Sequence, residues 1–209
     1  MQNIKDSDRK NVIENHNLGN HLPIVLATFH PIPRDLKLTT KEAIEFLEGL
    51  TIFSQNKESK IIITAPNNDL GNEIIFELID KYLPKIKNAI YVESLGGKRY
   101  HSIMSLAKER EVIICGNSSS VIKEAPYYGA HSLNIGMRQS GREISSTQIN
   151  CIAKRDLISI KLKNLSEKKC HIGKNPYYKK NASKIIISFI ENILSKKSLD
   201  EILFKKWNL

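Results

Sequence analysis

The sequence predicts an α/β protein built on a Rossmann-like parallel sheet with helices on both faces. Five short runs are rich in Ile and Val, and segments with helical spacing lie between them. Strands of a parallel sheet are buried on both faces, so they are continuously apolar rather than alternating. The order of strand and helix indicates a doubly wound sheet. The predicted strands are Pro23–Phe29, Lys60–Ala65, Ala89–Glu93, Val112–Cys115 and Ser132–Ile135.

Four helices are predicted to connect these strands. Thr39 or Thr40 is predicted to cap the first helix, and Asp69 is predicted to cap the second. Tyr100 belongs to the inward-facing side of the third helix. The predicted helices end near residues 53, 83, 108 and 128, and the last one begins at Ser119.

The pattern becomes weaker after Gly136. One weak strand is predicted over 157–163, among polar loops. An amphipathic helix is predicted over 182–194, and Ser198 is predicted to cap a short second helix. The predicted organisation is therefore a linker-like segment over 1–22, a Rossmann-like domain over 23–196 and an amphipathic tail over 197–209.

The charge of the chain is concentrated at one end. The net charge is +10, yet residues 1–150 hold 18 basic and 17 acidic side chains, whereas residues 151–209 hold 14 and 5. Nucleic acid is one possible partner for such an excess. A solvated lysine-rich face is favoured. Arginines and aromatic residues do not alternate there, as they do in proteins that stack nucleic-acid bases on aromatic side chains. No nucleic-acid partner is expected.

Hydropathy and cysteine content further limit the classes of protein to which the chain can belong. No uncharged apolar run approaches the roughly 20 residues of a membrane helix, and the first ten residues lack a signal-peptide core. A cytoplasmic protein with no membrane partner is expected. Cys115, Cys151 and Cys170 are odd in number and lack paired metal spacing, so they are interpreted as core thiols with no metal site.

The loops that follow the strands are the candidate sites, because ligands bind open parallel sheets at the carboxyl ends of the strands. His30 follows the first strand and is a candidate to donate to a phosphate or to act as an acid. The alternative is a histidine at the end of a strand whose hydrogen bonds are made within the protein, with no ligand. Ser94, just before Gly96 and Gly97, is a weaker candidate, because paired glycines also occur in ordinary turns.

The loop from Gly116 to Ser120 is the strongest local signal. Glycine permits a tight turn, and serine hydroxyls such as those of Ser118 and Ser119 can hold a phosphate where a helix begins. An ordinary Asn/Ser helix cap explains this loop equally well. Glu124 lies about a turn and a half further on, within reach of a ribose hydroxyl.

Two arginines follow the fifth strand. Arg138 and Arg142 are four residues apart in a turn flanked by Gly136 and Gly141. Guanidinium groups bind phosphate in bidentate geometry, whereas solvated arginines are the alternative. Convergence with the serine loop at one edge of the sheet favours anion binding.

Together these motifs resemble the C-terminal half of UDP-N-acetylglucosamine 2-epimerases, in particular the hydrolysing branch of sialic and related nonulosonic acid synthesis. The resemblance runs from about residue 24 to residue 190. It is carried by Thr28-Phe-His-Pro31, Gly116-Asn-Ser-Ser-Ser120, Glu124-Ala-Pro126, Asn134-Ile-Gly136, Arg138-Gln-Ser-Gly-Arg142 and Asn175-Pro-Tyr177.

The resemblance implies that residues 23–196 are the nucleotide-sugar-binding domain of a glycosyltransferase-B-like fold. In that family a base removes the C2 proton of the sugar, UDP is eliminated to give a glycal, and water adds to release N-acetylmannosamine. Neither a cofactor nor a metal is implied. Carried over by motif, the UDP-binding residues are His30, Ser94, Ser118, Ser119, Glu124 and Arg138, and His30 and Arg142 on the diphosphate side are the catalytic candidates.

The resemblance also implies an incomplete catalytic site, because the family's N-terminal domain, with its catalytic carboxylates, is not in this sequence. UDP binding with little turnover is expected of this chain alone. The expected partners are a UDP-sugar and either a separate N-terminal half or a second copy of the chain. The alternative function is a non-catalytic nucleotide-binding module that pairs with a separately encoded first half.

Overall fold

The computed structural model describes residues 4–19 and 21–196, which belong to two units. The unit Met1–Pro176 holds a six-stranded sheet, and the described part of Tyr177–Leu209 holds one helix. The strands are β1 (Ile24–Thr28), β2 (Lys60–Thr64), β3 (Ala89–Val92), β4 (Val112–Gly116), β5 (His131–Ile135) and β6 (Gln148–Cys151). The helices are α1 (Asp6–Asn15), α2 (Leu36–Asn56), α3 (Asn72–Tyr82), α4 (Gly96–Ser105), α5 (Ser119–Lys123), α6 (Ala125–Tyr128), α7 (Arg155–Ser166) and α8 (Ala182–Lys196).

The sheet is parallel throughout, with the strand order β3-β2-β1-β4-β5-β6. The chain first spreads outward from β1 to β3, and then returns to the other side of β1 with β4. Thr28 pairs with both Thr64 and Gly116, so the central strands end at the same level. This reversal between β1 and β4 is the topological switch point at which doubly wound sheets bind ligands.

The core lies on both faces of the sheet, as the continuously apolar strands predict. In β1, Val25 and Ala27 join a buried cluster with side chains of α2, α3 and α7. Ile24 and Leu26 join a second cluster with side chains of α1, α4, α5 and α6. Successive residues of a strand point to opposite faces, so β1, β2 and β4 each contribute buried side chains to both clusters.

Helix α1 lies within residues 1–22, to which the sequence analysis assigned no helix. Its apolar periodicity is weak, but Val12 is buried against the second cluster. Ion pairs hold α1 to the rest of the unit: Asp8 binds Lys98 at 2.8 Å and Arg9 binds Glu109 at 3.1 Å. Charged contacts between distant segments have no local sequence signal, which explains why the helix was missed.

The weak strand predicted over 157–163 is wrong, because these residues lie in α7. Ile158 and Leu162 are buried four residues apart, which is the spacing of one helix face. Glu45 of α2 accepts a hydrogen bond from the Arg155 backbone N–H at 2.7 Å, which satisfies a free amide at the start of α7. The apolar residues of this segment fit the spacing of a strand as well as that of a helix. Packing against α2 therefore determines that the segment is a helix.

Both predicted helix caps are also wrong. α2 begins before Thr39 and Thr40, because the Asp35 carboxylate accepts a hydrogen bond from a backbone N–H of the first turn at 2.8 Å. α3 begins after Gly71, which has a left-handed conformation, and Asp69 does not cap it. The Asp69 carboxylate instead accepts hydrogen bonds from the Asn67 side chain of its own loop and from Arg138, which follows β5.

The single helix predicted from Ser119 to Tyr128 is two short helices, α5 and α6, which meet at Glu124. Pro126 has no backbone N–H, so it cannot continue the hydrogen-bond pattern of α5. The break places Glu124 at the end of α5 rather than in the middle of a longer helix.

Strand β6 forms an edge of the sheet that the sequence analysis did not assign. Gln148 and Asn150 interrupt its apolar pattern, so it lacks the signal of a buried strand. Parallel pairing with β5 is supported by a hydrogen bond of 3.0 Å from the Asn134 amide to the Asn150 side-chain oxygen.

The smaller unit confirms the predicted helix over 182–194 as α8. The helix predicted to begin near Ser198 lies outside the described residues. Over residues 4–19 and 21–196, no helix has both the length and the apolar character needed to cross a membrane.

Candidate functional site

The candidate site is an open cavity of about 680 Å³ at the carboxyl edge of the sheet, next to the switch point between β1 and β4. Its volume lies within the range of small-molecule sites. Loops that follow β1, β2, β3 and β4 all contribute to its walls. Five of the predicted site residues line it: His30, Ser94, Ser118, Ser119 and Glu124.

Gly116 sets the distance between the loops that follow β1 and β4. Its φ of 131° lies in the region that side-chain-bearing residues rarely adopt. A Cβ at this position would lie 1.9 Å from the carbonyl oxygen of Thr28. The glycine therefore lets two neighbouring strands stay in contact at the point where their loops diverge around the cavity.

Asn117 holds three loops together rather than facing a ligand. The residue is completely buried. Its side chain accepts a hydrogen bond from the His30 N–H at 2.7 Å and donates one to the His30 carbonyl at 2.8 Å. Its own carbonyl accepts hydrogen bonds from Arg138 at 3.3 Å and from Gln139 at 2.7 Å. The loops after β1, β4 and β5 are thereby fixed relative to one another.

His30 presents a neutral imidazole to the cavity. Its Nδ1 accepts a hydrogen bond from the Asn67 backbone N–H at 3.0 Å, so the proton of the neutral ring lies on Nε2. Burial is the main cause that lowers the pKa of His30 to about 4, and the nearby Arg138 lowers it further, while Asp69 opposes the shift. At neutral pH in the unliganded chain, His30 is therefore an uncharged Nε2–H donor.

This buried histidine predicts a specific loss of stability in acid. Above pH 6.5 His30 is neutral in both the folded and the unfolded chain, so it contributes nothing. As the pH falls from 6.5 towards 4, the unfolded chain binds a proton that the folded chain does not. The free energy of unfolding of the wild type is expected to fall by about 3 kcal/mol from this cause across that interval.

The matched variant for this prediction is His30→Asn, whose side-chain oxygen can replace Nδ1 as the acceptor for Asn67. Urea denaturation of both proteins between pH 7 and pH 4 measures the difference. The wild type is expected to lose more stability than the variant as the pH falls, since all other titrating groups are shared. Parallel pH profiles would contradict the assigned pKa.

Arg138 and Arg142 do not belong to the described lining of the cavity. The Arg138 guanidinium donates to the carbonyls of Pro31 and Asn117, at 3.2 and 3.3 Å, and to the Asp69 carboxylate at 3.4 Å. It therefore joins the loops behind His30. Arg142 is exposed in the same turn. Their roles in UDP binding and catalysis remain predictions.

The serine loop and Glu124 face the cavity from one side, and Ser94 faces it from another. Ser118 is the cap of α5, and its hydroxyl accepts a hydrogen bond from the Ser120 N–H at 3.3 Å. The Ser94 hydroxyl accepts one from the Gly96 N–H at 3.2 Å, where α4 begins. Both serines thus accept a hydrogen bond from a backbone N–H at the start of a helix and also lie on the cavity wall.

Several polar residues of the cavity are not among the predicted site residues. Tyr100 packs against the second core cluster, as predicted, but it also lines the cavity together with Thr28 and Thr64. Its position four residues after Gly96, in the first turns of α4, was a usable signal, since this end of the helix lies at the carboxyl edge. The two threonines were interpreted as parts of buried strands.

Comparison with known proteins decides the family. A sequence model of the family described as UDP-N-acetylglucosamine 2-epimerase matches residues 1–191. The chain belongs to this family. The resemblance inferred from the loop motifs is thereby confirmed.

Curated relatives of this epimerase-family chain match more than half of its length. It is 35% identical over 120 residues to the GDP/UDP-N,N'-diacetylbacillosamine 2-epimerase (hydrolyzing) of Campylobacter jejuni, covering 57% of this chain and 29% of that protein. It is 33% identical over 125 residues to the UDP-N-acetylglucosamine 2-epimerase of Neisseria meningitidis, covering 60% and 30% respectively. The matched region is thus less than a third of either relative.

Solved structures confirm the predicted fold class. The UDP-GlcNAc 2-epimerase from Neisseria meningitidis bound to UDP-GlcNAc matches with a TM-score of 0.62 at 20% identity, covering 90% of this chain and 50% of that one. The Methanocaldococcus jannaschii UDP-GlcNAc 2-epimerase in complex with UDP-GlcNAc and UDP gives 0.63 at 20%, covering 88% and 49%. The epimerase-family chain therefore has the Rossmann-like architecture of one half of a glycosyltransferase-B-like fold.

Proposed function

We propose that this chain is the nucleotide-binding half of a hydrolysing UDP-N-acetylglucosamine 2-epimerase. The observation that carries the proposal is the convergence of five predicted UDP contacts on one cavity at the switch point. These side chains come from three different loops, and only the fold brings them together. Membership of the epimerase family supports a UDP-sugar as the ligand.

The cavity offers donors and an acceptor that suit a nucleoside diphosphate. Ser118, Ser119 and the Nε2–H of His30 are the proposed partners of the diphosphate oxygens. Glu124 is the proposed acceptor for ribose hydroxyls, on the same side of the cavity as the serines. Ser94 is a further proposed contact to the nucleotide.

The proposed reaction begins when a base removes the C2 proton of the sugar. The C1–O bond then breaks, the electron pair leaves with UDP, and a glycal remains. Negative charge develops on the departing diphosphate, so donors that are already in place stabilise this step. Water then adds to the glycal and N-acetylmannosamine is released.

Two features support the hydrolysing branch. The run Arg138-Gln-Ser-Gly-Arg142 matches the pattern of that branch, and the relative from Campylobacter jejuni carries the description "hydrolyzing". We propose that the base for the C2 proton lies outside the described cavity wall, because it must face the sugar while the serines and His30 hold the leaving group.

Calorimetric titration with UDP tests the proposal. Wild-type chain is expected to bind UDP, and Ser118→Ala or Glu124→Ala is expected to weaken binding by roughly tenfold or more, because each variant loses a hydrogen bond to the ligand. Ser140→Ala is the matched control, since Ser140 is exposed in a neighbouring turn and does not line the cavity.

Undetectable UDP binding by the folded wild type would overturn the assignment of the nucleotide site. Incubation with UDP-N-acetylglucosamine completes the test. Binding without appreciable release of N-acetylmannosamine is expected, whereas rapid release by this chain alone would contradict a base supplied from elsewhere.

A further inference from the structure

A row of five hydroxyl groups lines the cavity, and the expected contacts with UDP involve only its last member. The Thr64 and Thr28 hydroxyl oxygens lie 2.6 Å apart, and Thr28 also hydrogen-bonds the Tyr100 hydroxyl. Tyr100 Oη lies 2.8 Å from Ser120 Oγ, and Ser120 Oγ donates to Ser118 Oγ at 3.1 Å. The row therefore begins on β2, passes through β1 and α4, and ends at the start of α5.

The proton on each hydroxyl can be assigned by elimination, because each hydroxyl has a single proton to donate. Ser120 gives its proton to Ser118, so Tyr100 must be the donor in its contact with Ser120. The Tyr100 oxygen then accepts from Thr28, and Thr28 in turn accepts from Thr64. All four contacts point in one direction, towards Ser118.

The end of the row is a hydroxyl whose acceptor positions are filled. Ser118 Oγ accepts from the Ser120 hydroxyl at 3.1 Å and from the Ser120 backbone N–H at 3.3 Å. Its own proton has no acceptor among the hydrogen bonds of the described residues. Ser118 lines the cavity and is partly exposed, so this proton is available to a ligand.

We propose that Tyr100 is a positioning residue that orders this hydroxyl row, so that Ser118 presents its O–H as a donor to an anionic group in the cavity. The inference rests on the proposed function, in which that anionic group is the diphosphate of UDP. Aligned hydrogen bonds polarise one another, which strengthens the terminal donor. Without Tyr100, Ser120 is free to rotate, and Ser118 can donate to Ser120 instead of to the ligand.

Titrations of Tyr100→Phe with UDP and with uridine test this role. Affinity for UDP is expected to fall about fivefold, the effect of one net hydrogen bond, while affinity for uridine stays unchanged. Tyr82→Phe is the matched control, because the Tyr82 hydroxyl donates to Glu48 at 2.9 Å outside the cavity. Equal losses for UDP and uridine would overturn the proposal, as would a UDP loss in the control as large as that of Tyr100→Phe.

A double-mutant cycle separates positioning from a merely structural contribution. In the Ser118→Ala background, Tyr100→Phe is expected to have no further effect on UDP affinity, because it acts through the Ser118 hydroxyl. Additive losses would overturn the proposal. If Tyr100→Phe does not fold, the hydroxyl order in the wild type carries the test.

Neutron crystallography of the unliganded wild type tests the hydroxyl order independently of UDP. Deuterium on Tyr100 Oη is expected to point at Ser120, and that on Ser118 Oγ into the cavity. A Tyr100 deuteron directed at Thr28 would overturn the proposal even if UDP binds. If UDP does not bind, the proposed function fails, and the neutron map still decides the hydroxyl order.

Discussion

Gly116→Ala is expected to destabilise the chain by more than about 4 kcal/mol, a large fraction of the free energy of unfolding of a typical domain. The added Cβ would lie 1.9 Å from the Thr28 carbonyl oxygen, which is backbone and cannot rotate away. A φ of 131° adds strain of about 1–3 kcal/mol for a residue with a side chain. Relief requires β1 and β4 to separate where both are buried.

Urea denaturation measures this loss, and Gly141→Ala provides the control. Gly141 also has a positive φ, of 81°, but a Cβ there meets no atom within 4 Å. The control is expected to lose only the backbone strain. A Gly116→Ala protein as stable as Gly141→Ala would show that the two strands can separate at little cost.

Asn117→Ala is expected to lose about 3 kcal/mol of stability, because it leaves the partly buried N–H and C=O of His30 without their partners. The same change frees the loop that carries His30. UDP affinity is therefore expected to fall by about tenfold or more, and the pKa of His30 is expected to rise towards 6.5 as its ring gains contact with water.

Asn134→Ala is the matched control for this prediction. Asn134 is also buried and also donates from its side chain, but to Asn150 at the edge of the sheet. Its loss is expected to cost less stability and to leave UDP affinity unchanged. Nuclear magnetic resonance titration of the imidazole gives the His30 pKa, and an unchanged value in Asn117→Ala would contradict the role of Asn117.

The alternation of strands and helices could be predicted because burial on two faces leaves a local signal. All five predicted strands occur in the sheet, and the continuous apolar runs of β1, β2 and β4 arise because both faces are covered, whereas Ile90 of the edge strand β3 is exposed. Elements that depend on distant partners left no such signal. Ion pairs to Lys98 and Glu109 hold α1 in place. β6 pairs with the edge of the sheet that β5 would otherwise leave unpaired.

The position of the site could be predicted for a similar reason. Parallel strands end at a common edge, so residues that follow them converge whatever the details of the loops. The function of each side chain within those loops was harder to predict. Asn117 stands in the loop expected to hold phosphate, yet its side chain bonds only the backbone of His30. Arg138 likewise donates to two loop carbonyls and to a loop carboxylate. The spacing of residues in the sequence does not indicate these contacts.

The joint attachment of three loops to Asn117 has a consequence for protein engineering. A loop transplanted singly from a homologue would arrive without the backbone groups that Asn117 and Arg138 engage. Changes of ligand specificity at this edge are therefore expected to require exchange of all three loops as a cassette. The segments after β1, β4 and β5 are accordingly expected to change together during evolution. Substitutions that are harmful one at a time are expected to be tolerated in combination.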